Sequence, residues 1–108
     1  MPEPTDLRPA VERLAGRLRS LPQRRLQAGA AAEGLELARW LAREAQLLEF
    51  PDREPRLIPD DGVFTVGDQL AVAGNELVAA LAEAEPAGGQ RLLAEALARV
   101  TVTAKAVG

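Results

Sequence analysis

The 108-residue sequence contains no histidine, no cysteine and no tyrosine. Without histidine or cysteine, Ser-His-Asp and Cys-His nucleophilic machinery is excluded. So are zinc sites built on Cys and His, iron–sulfur clusters, disulfides, and the Glu-x-x-His di-iron sites of four-helix bundles. Ser20 is the single serine and has no histidine to activate it. Acid–base chemistry is left to Asp, Glu, Arg and Lys105, a repertoire that argues against an enzyme. Aromatic residues make up only 3%: Trp40, Phe50 and Phe64. Three scattered rings make a poor platform for stacking the bases of a single strand. No apolar run approaches the roughly 18 residues needed to cross a bilayer. The start, Met1 to Asp6, has neither a basic region nor an apolar stretch, so no secretory signal is expected and the cytoplasm is the default.

What is present is ordinary for a soluble globular domain: 47% hydrophobic and 27% charged residues in a length that suits one domain, 1–108. The net charge of −3 argues against generic binding to duplex nucleic acid. Arginine outnumbers lysine twelve to one. With abundant Ala, Leu and Gly, that is the bias expected of a bacterial coding sequence rich in G and C.

The apolar pattern divides the chain into four helical segments. The first is expected over 6–19, where Leu7, Val11, Leu14 and Leu18 recur at steps of four and three and so share a face. Thr5 reads as its N-cap, and Ser20-Leu21-Pro22 as its end. The second runs over 22–49 with a stripe of Leu26, Ala30, Gly34, Leu37, Leu41, Ala45 and Leu48, widened by Trp40 and Leu47. Gly29 and Gly34 within it read either as a break or as small residues admitting a close helix crossing. Residues 50–64 carry three prolines and form one long irregular loop. Pro59-Asp60-Asp61-Gly62 is turn chemistry, and Leu57-Ile58 with Val63-Phe64 offers a short hairpin as the alternative. The third segment, 65–84, opens on Thr65-Val66-Gly67-Asp68, a capping signature, and carries Leu70, Ala73, Leu77, Leu81 and Ala84. The fourth, 89–106, carries Leu93, Leu97, Val100 and Ala104.

These segments build an all-α fold, a small antiparallel bundle of four helices with the loop between helices two and three. The short connection at 85–89 makes helices three and four antiparallel neighbours. A continuous second helix would be about 42 Å long against about 21 Å for the first. The uncovered half, with Leu37, Trp40, Leu41, Leu47 and Leu48, then needs helices three and four or a second copy, which is the reason to expect a homodimer.

No residue pattern supports a cofactor or metal site. Asp52, Glu54, Asp60 and Asp61 in the loop lack EF-hand spacing and read as soluble turn residues; a metal-dependent carboxylate hydrolase is the third-ranked function. Charge is uneven. Residues 1–28 hold six arginines against three acids, and 65–87 hold four acids and no base. Arg13 and Arg17 share a helix face, and Arg24 and Arg25 follow the Pro22 break. They read as a solvated face or as complements of the acidic third helix, and otherwise as an anion-facing patch. The leading expectation is a protein-interaction module, self-associating or binding another protein. Trp40, Leu47, Phe50, Leu57 and Ile58 supply apolar contact, with Arg13, Arg17, Arg24 and Arg25 as a charged flank. The second is a nucleic-acid-associated regulator using the same arginines.

Overall fold

The computed structural model describes residues 2–108, and among them the protein is a four-helix bundle without a strand. Helix α1 spans Pro4–Ser20 and buries Leu7, Val11, Leu14, Ala15 and Leu18, the residues its periodicity selects. It starts earlier than Thr5 implies. Glu3 is the cap, with its N–H donating to Asp6 Oδ2 at 2.8 Å, and Pro4 occupies the first helical position, where no N–H is required.

The second segment is not continuous. A short helix α2, Gln23–Arg25, passes into a wide turn at Leu26–Ala30 and only then into α3, Ala31–Glu49. The break is at Gly29, whose φ of 142° and ψ of −21° belong to a region that side-chain-bearing residues avoid. Gly34, by contrast, is regular helix. A Cβ there would lie 2.7 Å from Leu18 Cδ1 and 2.8 Å from Val66 Cγ1, so it marks a close crossing. The two glycines therefore take one role each. With the helix broken and Leu37 and Leu41 buried inside the chain, the geometric reason for a second copy along that segment is gone.

Helix α4, Val66–Ala82, sits between α1 and α3, its two most extensive partners. Val11 of α1 meets Gly74, while Ala15 and Arg19 meet Gly67, so α1 and α4 run antiparallel. Gly34 meets Val66, so α3 and α4 start at the same end of the bundle. That pair runs in one direction, which a short turn cannot achieve; residues 50–65 are the return path.

This return strap is pinned along α3. Gln46 donates to the Arg56 carbonyl at 3.0 Å and accepts from the Arg56 N–H at 2.8 Å. Arg39 Nε donates to the Ile58 carbonyl at 2.8 Å, and Gln69 Nε2 to the Pro59 carbonyl at 3.0 Å. Of the backbone groups that a hairpin would pair, the Ile58 carbonyl is taken by Arg39, and no strand forms at 57–58 or 63–64. Thr65 stands at the cap position of α4, but its hydroxyl donates back to the Gly62 carbonyl at 2.9 Å, and Asp68 pairs with Arg19 instead of closing a capping box.

Helix α5 spans Pro86–Val107, three residues longer at its start than the sequence implied because Pro86 opens it. It packs on α1 and α3, not along α4 as the short connection suggested. Both flanks of α4 are already filled, so the stripe of Leu93, Ala96, Val100 and Val107 seats in the remaining opening. Gln90 Nε2 reaches the Pro2 carbonyl at 3.4 Å, and Arg25 donates to the Val107 carbonyl at 3.0 Å, so α5 runs parallel to α1. No helix among the described residues is long and apolar enough to cross a membrane.

Candidate functional site

The kink at Gly29 and the strap together leave one side of α3 open. An open groove of about 1380 Å³ runs there between α3, α5 and the strap. Trp40 stands in its wall, half-buried, with the Arg99 guanidinium 4.4 Å from the ring centroid. Arg99 is held in that pose by Glu95 one turn earlier, with N···O distances of 2.9 and 3.0 Å. A guanidinium on an indole face is favourable, and the pair gives the wall a flat amphipathic surface. Leu57 from the strap and Val102 from α5 line the same groove, and they are 70% and 68% exposed. Its charged lining is mixed: Arg43 and Arg56 stand among Glu33, Glu36, Glu54 and Asp60.

A second, shallower groove of about 430 Å³ lies between α1 and α5. Ala10, Leu14, Val100 and Ala104 form its apolar part, and Arg13, Arg17 and Lys105 are its charged residues, with no acid among them.

No family model, curated protein or solved structure matches this chain. The residues themselves therefore carry the functional reading.

The apolar set chosen from sequence separates in space. Trp40 and Leu57 meet in the large groove. Ile58 is partly buried against the core, where it anchors the strap. Leu47 is half-buried and outside the groove, and Phe50 lies beyond it at the end of α3 with Arg53 stacked 4.7 Å from its ring centroid. The arginines separate too. Arg19 pairs with Asp68 at 2.8 Å and so complements the acidic helix, while Arg8 donates to the neutral Asn75 amide oxygen of the same helix at 3.2 Å. Arg25 is tied to the end of α5, Arg24 is exposed, and Arg13 and Arg17 line the small groove. The loop carboxylates do not converge: among the described residues no three Asp or Glu side chains are grouped to hold a metal ion. Asp60 instead accepts from the Gly62 N–H at 3.0 Å within its turn.

Sequence reasoning missed Arg99, Glu95, Val102 and Lys105. A signal for Val102 existed. It falls off the apolar stripe of its helix, and a large β-branched residue on an otherwise polar face has no core to serve.

Proposed function

We propose that this protein is an interaction module and that the groove between α3, α5 and the strap takes an amphipathic segment of a partner protein. The observation that carries this reading is the placement of Leu57 and Val102. Two of the most exposed large hydrophobic residues come from separate elements and line one groove beside Trp40. Apolar side chains of the partner would cover these three residues. The mixed charges around them would fix its orientation, since rim charges give specificity more than affinity. A half-buried tryptophan beside an arginine is the type of pair that anchors such interfaces.

Affinity capture from native lysate tests the proposal, with the chain in wild-type, Leu57→Asp and Val102→Asp forms and with nuclease-treated and untreated halves. One stoichiometric protein should survive nuclease and be lost with either substitution, while far-ultraviolet circular dichroism stays unchanged. Capture that ignores both substitutions overturns the groove assignment. Co-purifying nucleic acid, removed by nuclease or moderate salt, overturns the protein-partner reading.

A further inference from the structure

Two surfaces outside that groove complement each other. Along α4 and its C-cap, Val72, Glu76, Ala79 and Glu83 follow one another at steps of four, three and four and so fall on one side. All four are exposed, and Val72 is 57% exposed although it is β-branched and apolar. Among the described residues neither Glu76 nor Glu83 takes part in an ion pair; Asp68, their neighbour on the helix, is the one α4 carboxylate already used. The α1–α5 groove is the converse. Its walls carry Arg13, Arg17 and Lys105, none of them in an ion pair among the described residues, over a floor of small and medium apolar side chains.

We propose that the α1–α5 groove docks the outer face of α4 from a second copy of this chain. Val72 and Ala79 lie on the apolar floor, and Glu76 and Glu83 meet Arg13, Arg17 and Lys105. A polynucleotide is the poorer occupant: no aromatic side chain lines the groove to stack a base, and its floor is apolar. Groove and key are different surfaces of one molecule, so the contact is head-to-tail. Such contacts grow into chains or close into rings as concentration rises. The surface is small, so the association is weak.

Sedimentation of the intact chain, from about 10 µM to about 1 mM at low salt, reads this directly. The weight-average mass should rise across that range and fall back as salt screens the pairs. Arg17→Glu spoils the groove and leaves the key; Glu76→Arg spoils the key and leaves the groove. Each alone should weaken association by roughly tenfold, because like charges then face each other. Lys105→Glu, on the other wall, should repeat the loss. An equal mixture of Arg17→Glu and Glu76→Arg chains should regain the association that each lacks alone, because the intact key of one fits the intact groove of the other and their two reversed surfaces also carry opposite charges. The chain carrying both substitutions should regain growth by exchanging the charges. Helicity should be the same throughout. A chain that stays monomeric at every concentration overturns the proposal. So does association that is blind to all three substitutions, or a mixture that associates no more than either variant alone.

Discussion

Gly16 and Gly74 are both helical glycines, yet an added methyl meets opposite surroundings. At Gly16 a Cβ finds nothing within 4 Å, whereas at Gly74 it lies 2.6 Å from Val11 Cγ1 and 3.1 Å from two more atoms of the same side chain. Replacing a helical glycine by alanine gains about 1 kcal/mol of helix propensity. Gly16→Ala should collect most of that gain. Gly74→Ala must also push α1 away from α4, and overpacking costs about 1–3 kcal/mol, so it should destabilise the protein by about 1 kcal/mol or more. Urea denaturation of the two variants decides the sign at each site. Val11→Ala removes the obstructing methyls, so the double variant Val11→Ala/Gly74→Ala should be clearly less destabilised than the sum of the singles. Equal effects at Gly16 and Gly74 would mean that the crossing is looser than the contact with Val11 implies. Asn75, next along the chain, faces solvent and accepts from Arg8, so it does not set bundle register from within the core.

The strap shows best what an element owes to its anchors. It has no regular structure of its own, and side chains from α3 and α4 hold its carbonyls. Gln46→Leu removes both bonds to Arg56 and the bond to the Ala42 carbonyl at 3.1 Å. Most of the freed groups lie near water and rehydrate, so global stability should fall by only about 1 kcal/mol. The local effect should be larger: faster hydrogen exchange at the Arg56 amide and faster tryptic cleavage after Arg53 and Arg56. An unchanged cleavage rate would show that Arg39 and Gln69 suffice. The same element explains the limits of reading this sequence. The stripes of Leu7, Val11, Leu14 and Leu18, and of Leu70, Ala73, Leu77 and Leu81, are buried as their spacing requires, because periodicity records burial directly. The direction of α4 was not legible. A fifteen-residue loop permits either direction, and the glutamine and arginine clamps that select one act between residues 10 and 19 apart. Capping at Thr65 failed for a related reason. A threonine hydroxyl at this position can accept from a first-turn N–H as a cap or be oriented toward the preceding turn, and here it donates to the Gly62 carbonyl. In the groove, Trp40 and Leu57 were legible as rare or exposed-loop apolar residues, whereas Arg99 and Glu95 gain meaning only once α5 is laid beside α3 rather than α4.

At the scale of the whole molecule, apolar burial and charge do separate jobs, and salt distinguishes them. The core is aliphatic: Leu7, Leu14, Leu18, Leu41, Leu70, Leu77 and Leu93 are the largest fully buried side chains, and Thr103 is the one buried polar residue among those described. The two ion pairs found among the described residues are exposed, with side-chain accessibilities of 44% and 75% for Arg19–Asp68 and 48% and 50% for Arg99–Glu95. Pairs in that setting contribute about 0–1 kcal/mol each, and salt weakens them further. Raising salt from about 50 mM to about 1 M should therefore change the free energy of unfolding by less than about 1 kcal/mol, since hydrophobic burial is not screened. Association through Arg13, Arg17, Lys105, Glu76 and Glu83 should respond to the same change with a several-fold loss, because that contact rests on charges with no intramolecular partner. Thermal melts and sedimentation run on one salt series separate the two responses. A melting temperature that falls in step with the average mass would tie stability to assembly and place these charges in the folding energetics. A constant melting temperature with a falling mass leaves the bundle self-sufficient and gives its uncompensated charges a role between molecules.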